Sequence, residues 1–245
     1  MHLLKALAVA FFTTVSFLSI GQDSTVVQDF ETWSGIKLEK SFLEKKLKLD
    51  LNQEFRFDDN STHLDQYFTE LGAQYKLPLG FSIGANYRFI RNNRNSGYRN
   101  EGRYNFDLGY KHKFERFKFS TRFRFQSKNV LGTTKEEGDF PVNKMRLKIL
   151  GAYNIKKWPL DPYFSIEVFH ASTTNRISYV DGIYESESIS GFEKMRYTFG
   201  TNYKLNKKIE LGGFFRMENE FISYPLFYNT PATYYIAGFD LTFKL

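Results

Sequence analysis

The chain has 245 residues, 42% hydrophobic and 18% aromatic, with 27 Phe and 16 Tyr against 2 Trp and 6 Pro. It contains no Cys, which excludes disulfide scaffolds and thiolate metal centres. The formal charge of +7 alternates with aromatic rings instead of forming a basic run, which argues against nucleic acid as a partner.

Residues 1–21, "MHLLKALAVAFFTTVSFLSIG", read as a signal peptide: Lys5 supplies the basic start, Ala6 to Ile20 the apolar run, and Ser19 and Gly21 the small residues before Gln22. No Cys follows, so lipoprotein anchoring is excluded. Beyond this segment the chain has no apolar run near the roughly 20 residues a membrane helix needs, in keeping with its mean hydropathy of −0.45. If residues 22–245 enter a membrane, they do so as strands.

Strand signals begin with "DFETWSGIKLEK" and continue through "KLKLDLNQEFRF", where Leu47, Leu49, Leu51, Phe55 and Phe57 alternate with Lys46, Lys48, Asp50, Asn52, Glu54 and Arg56. "FSIGANYRF" from Phe81, "YNFDLGYKHKF" from Tyr104 and "FKFSTRFRFQS" from Phe117 repeat the pattern. So do "KMRLKILGAYNI" from Lys144, "KMRYTFGTNYKL" from Lys194 and "IELGGFFRM" from Ile209. Alternation lasts about 9 to 14 residues, whereas soluble strands average about five or six and membrane strands need about 9 to 11.

Short turns near 41–45, 78–80, 115–116, 157–161 and 206–208 alternate with longer polar loops near 58–62, 92–100, 129–141, 171–191 and 219–231. This asymmetry is that of bacterial outer-membrane barrels, with tight turns toward the periplasm. Outward rings fall into two girdles, Phe57, Tyr67, Phe89, Tyr104 and Phe125 at one end and Tyr75, Phe81, Phe114, Phe117, Tyr203 and Phe243 at the other. Gly72, Gly84, Gly109, Gly200 and Gly238 fall on the polar face, where a missing side chain permits curvature and admits a large neighbour.

The expected fold is all-β, a transmembrane antiparallel up-and-down β-barrel of about 10–12 strands. About eleven strands can be counted, against the even number usual in bacterial barrels. Rings face lipid and charges face the lumen. Arg103, Lys111, Lys118, Arg122, Arg124, Lys144, Arg146 and Lys148 are expected to form a basic wall opposite Asp50, Glu54, Glu70, Glu210 and Glu218. A filled or very narrow bore follows, since open channels are typical of about 16 or more strands. Arg122, Arg124 and Arg146 are expected to leave guanidinium groups without acidic partners, so any conductance should favour anions.

The run "LDLNQEFRFDDNSTHLDQYFTELGAQYKL", followed by "GANYRFIRNN", resembles an outer-membrane β-barrel family catalogued as domain of unknown function 2490. The similarity extends from the Trp33 segment to the last strand. It implies an outer membrane of a Gram-negative cell and assigns no catalytic residues. The last strand, with Tyr235, Phe239, Leu241 and Phe243 alternating outward, also resembles the signal read by barrel-assembly machinery, although it ends on Leu245 instead of Phe.

No phosphate-binding loop or nucleophile elbow is present, and the four His residues lack metal-ligand spacing, so no metal or cofactor is expected. The residues point to a non-enzymatic barrel, porin-like with a narrow bore or structural and surface-binding. The alternative is a lipid-modifying hydrolase. "FHAST" puts His170 and Ser172 on one strand face, with Glu185, Glu187 or Glu193 available to orient the imidazole. Arg91, Arg94, Arg99 and Arg103 would meet lipopolysaccharide phosphates at the outer rim.

Overall fold

Alternating ring and polar residues commit each segment to an extended chain with two unlike faces, and a closed sheet leaves no ladder edge unpaired. The computed structural model describes residues 27–94, 97–134, 141–180, 183–221 and 232–245. Residues 1–21, read above as a signal peptide, lie outside that range. Eleven strands close into one barrel: β1 Val27–Phe42, β2 Leu47–Asp58, β3 His63–Lys76, β4 Phe81–Arg94, β5 Gly97–Phe114, β6 Phe117–Val130, β7 Val142–Tyr153, β8 Leu160–Val180, β9 Ile183–Lys204, β10 Ile209–Glu220 and β11 Ala232–Lys244. Among the described residues no helix is long and apolar enough to cross a membrane.

Every strand is antiparallel to its sequence neighbour, but the closure is not. β1 and β11 pair in parallel, from Val27↔Ala232 to Glu39↔Lys244. The odd count dictates this, because an up-and-down chain with eleven strands starts and finishes in the same direction. Leu245 completes the seam by donating its backbone N–H to the Glu39 carbonyl at 2.8 Å.

The side-chain sorting follows the period of two. Phe106 and Leu108 of β5, Phe123 of β6, Leu147 of β7, Phe199 of β9 and Phe239 of β11 all lie exposed on the outer face. The short turns fall as expected at one end of the barrel. Several expected loops at the other end are instead strand. β8 and β9 run on as a ribbon through the predicted 171–191 loop, paired as far as Val180↔Ile183. β4 and β5 likewise pair up to Arg94↔Gly97 inside the predicted 92–100 loop. Thr, Ile, Tyr and Val in these stretches favour the pleated conformation despite their polar neighbours. The connection after β2 is a tight turn in which Asp59, Asn60 and Ser61 all have positive φ. The Asp29 carboxylate of β1 accepts the Asp59 and Asn60 N–H groups at 3.1 and 2.8 Å, fixing that turn to the seam.

Inward glycines admit neighbours. A Cβ on Gly200 would stand 2.5 Å from the Tyr163 ring, and one on Gly72 would stand 2.9 Å from the Asp50 carboxylate. The Phe214 ring occupies the corresponding space over Gly238.

The closure is directly testable because the chain has no native Cys. Thr32→Cys with Ala237→Cys, register partners across the seam, should oxidise to an intramolecular disulfide that shifts migration on a non-reducing gel. Thr32→Cys with Thr201→Cys should give no such band.

Candidate functional site in the barrel lumen

The interior holds a cavity of about 920 Å³ lined by Asp50, Glu54, Glu70, Arg103, Lys111, Arg122, Arg124, Lys144, Arg146, Lys148, Glu210 and Glu218 among others. The period of two thus places nearly every expected lumen residue. Lys118 departs from the set: it lies at the short-turn rim, 45% exposed, paired with Asp161 at 3.1 Å.

The charges do not form two opposed walls. They interleave as a belt around the barrel, because strand tilt brings acids and bases from nearby strands to one height. Arg56 binds Glu54 at 2.7 Å, and Arg88 binds Glu70 at 2.7 Å with Arg103 at 3.9 Å from the same carboxylate. Arg124 donates from Nε and a terminal nitrogen to the two oxygens of Asp107 at 2.6 and 2.7 Å. Glu167 receives Arg122, Arg146 and Arg196 at 2.8, 3.0 and 3.4 Å. Glu218 receives Arg196 and Lys194 at 2.5 and 2.7 Å. The expectation that Arg122, Arg124 and Arg146 lack acidic partners is therefore corrected: all three are paired, through Asp107 and Glu167. Both acids lie on the polar parity of "FDLGY" and "SIEVF", the signal that could have found them.

A β-bulge sharpens the belt. β8 pairs Phe169 with Lys194 but His170 with Phe192, so Glu193 is skipped and both Glu193 and Lys194 turn inward. Glu193, 1% exposed, pairs with Lys144, while Lys194 serves Glu218 and Glu220.

Inward rings add to the lining, contrary to the expectation that rings face outward: Trp33, Phe68 and Phe169 carry the guanidinium groups, and Phe214 and Tyr234 also line the cavity. The guanidinium of Arg56 stacks 3.5 Å from the Trp33 ring and that of Arg88 3.4 Å from Phe68, while Arg146 and Arg196 lie 4.4 and 4.8 Å from Phe169. Trp33 Nε1 donates to Glu31 at 2.6 Å. Stacking on rings gives guanidinium groups that share a carboxylate a second favourable contact away from water.

The alternative catalytic set is not assembled. His170 and Ser172 are both exposed on the outer face, but the imidazole Nε2 lies 3.0 Å from Ser190 Oγ, across the hairpin. Glu193 points into the lumen, on the opposite face of the sheet. The side chains of Glu185 and Glu187 lie outside the described residues. Of the expected rim arginines, Arg103 is inside the belt, Arg91 stacks on Tyr98 at 4.3 Å, and Arg99 is exposed beside Glu101. Among the described residues no cluster of His, Asp and Glu is arranged to hold a metal ion.

A closed sheet with an apolar exterior and a lumen lined by paired charges defines the class as a small β-barrel with a charged interior. The sequence gives the particular family: residues 30–222 match the family described as Protein of unknown function (DUF2490), and the chain belongs to it. No curated protein matches the sequence.

Glu167 carries three guanidinium groups, so Glu167→Gln should destabilise the barrel by about 3–5 kcal/mol, because it strands buried cations. Lys118→Gln, at the exposed rim, should stay within about 1 kcal/mol. Urea unfolding in detergent, followed by tryptophan fluorescence and the gel shift between folded and unfolded barrel, measures both.

Proposed function

We propose that this chain is a non-enzymatic outer-membrane β-barrel whose lumen is closed at rest, acting through its wall and its hairpin end as a structural or surface-binding protein. The observation that carries the reading is the pairing of two features: an outer face of exposed Phe, Leu, Ile and Tyr on strand after strand, and an inner face of ion-paired charges. In water that exterior is an apolar area far beyond what soluble proteins expose, whereas in a bilayer it is the required surface.

The signal-like residues 1–21 support export, with removal of that segment before assembly. The outward Phe239, Leu241 and Phe243 support recognition of β11 by barrel-assembly machinery. The short-turn end then faces the periplasm and the β8–β9 hairpin faces outward. Lipids and lipopolysaccharide are the expected partners there, with the guanidinium groups of Arg91, Arg94 and Arg99 near that end as candidates for phosphate contact, although Arg94 also lines the lumen. The hydrolase alternative has less support: its imidazole meets Ser190 instead of Ser172, and no acid is seen behind it among the described side chains.

Two single-cysteine variants test the assignment. Ser190→Cys, in the β8–β9 hairpin, should react with a membrane-impermeant maleimide on intact Gram-negative cells. Lys207→Cys, in the turn after β9, should react only after the outer membrane is opened. Recovery of the protein in the soluble periplasmic fraction, or labelling in the reverse order, would contradict the proposal.

A further inference from the structure

Two cations that line the cavity, Lys148 of β7 and Arg216 of β10, are left without an ion pair among the described residues. Arg122 of β6 and Lys148 of β7 are direct cross-strand partners, a like-charge pairing that disfavours the sheet and that the one carboxylate beside both, Glu167, offsets only in part. Arg122 reaches Glu167 through a terminal nitrogen at 2.8 Å, while its Nε is buried without a partner. Lys148 has no ion pair among the described residues. Its cross-strand partner on β8 is Glu167, a carboxylate already bound by Arg122, Arg146 and Arg196, and Arg216 of β10 lines the same cavity. Arg216 likewise has no ion pair among the described residues; it donates to Thr198 Oγ1 at 3.0 Å and stacks on Trp33 and Phe214 at 4.7 and 4.5 Å.

The carboxylates facing this group are Glu167, Glu218 and Asp240. Glu167 is already shared by three guanidinium groups, and Glu218 by Arg196 and Lys194. Asp240 sits over Gly35, where a Cβ would stand 2.7 Å from its Oδ1. Lys148 and Arg216, which have no ion pair among the described residues, and Arg122, which shares its one carboxylate, carry charge that an oxyanion compensates, most of all one that accepts forked guanidinium hydrogen bonds.

We propose that the lumen binds a soluble phosphate-bearing anion between Arg122, Lys148 and Arg216. The cavity wall is mostly polar, with Asp50, Asn202 and small residues such as Gly109 and Gly212 among a few apolar ones, Leu150 and Phe214 included, which suits a water-soluble anion. The site rests on the lumen geometry and does not require the membrane assignment.

The test uses the full chain folded in detergent, with pyrophosphate as the probe at constant ionic strength and chloride as the reference. Calorimetry should show one saturable site, and the melting temperature should rise with pyrophosphate to a plateau. Lys148→Gln and Arg216→Gln should each weaken binding by about tenfold or more. Each should also raise the melting temperature of the ligand-free protein, because an unpaired cation has been removed. A merely structural lysine or arginine would lower it. Lys207→Gln, in the exposed turn after β9, should change neither reading. The proposal is overturned by pyrophosphate affinity that survives both lumen substitutions, by absence of saturable binding, or by binding of short-chain phosphatidic acid without pyrophosphate. The last result would place the phosphate site on the lipid-facing surface.

Discussion

The structure depends on one constraint: charged side chains enclosed in a narrow barrel must find their partners inside it. In an eleven-stranded barrel side chains of Arg and Glu length reach across much of the interior, so they cannot each keep a full hydration shell. Breaking one buried ion pair exposes the survivor to the full desolvation penalty, which makes the belt a cooperative unit. Glu167 and Glu218 together tie β6, β7, β8, β9 and β10 to one another through side chains. These links act in addition to the backbone ladder and cross strands that share no hydrogen bonds.

The same constraint gives meaning to irregularities that would otherwise read as defects. The bulge at Glu193 adds a residue so that a carboxylate and an ammonium from consecutive positions both reach the interior. Trp33, Phe68 and Phe169 occupy positions where a smaller residue would leave the guanidinium groups nothing to stack on. The parallel seam brings Trp33 on β1 beside the β10 and β11 interior, where it meets Phe214 edge-on with ring centroids 6.5 Å apart. The odd strand number therefore closes the barrel and the stacked belt together.

Much of this was legible in the sequence because a period of two assigns a side to each residue without knowledge of its neighbours. The inward positions of Asp50, Glu70, Arg124 and Arg146 needed nothing more. Their partners were not legible, because strand tilt sets which residues share a height, and Arg122 meets Glu167 two strands away and forty-five positions along the chain. The inward rings were missed for a different reason. Tyr67 stands in the outward girdle, so parity alone sends its neighbour Phe68 inward, and the general rule that rings face lipid hides this. The hairpin over 171–191 was read as loop because its Ser, Thr and Glu content resembles one, although the intervening Ile and Tyr residues keep it paired.

The central proposal is that paired charges around the cavity block a continuous ion path through this lumen. Single-molecule recordings of the purified wild-type protein in a planar lipid bilayer test it most directly. The account predicts no steady conductance in folded, inserted barrels near neutral pH and moderate salt. A stable, reproducible open level in the wild-type protein would show a continuous aqueous path and contradict the proposal.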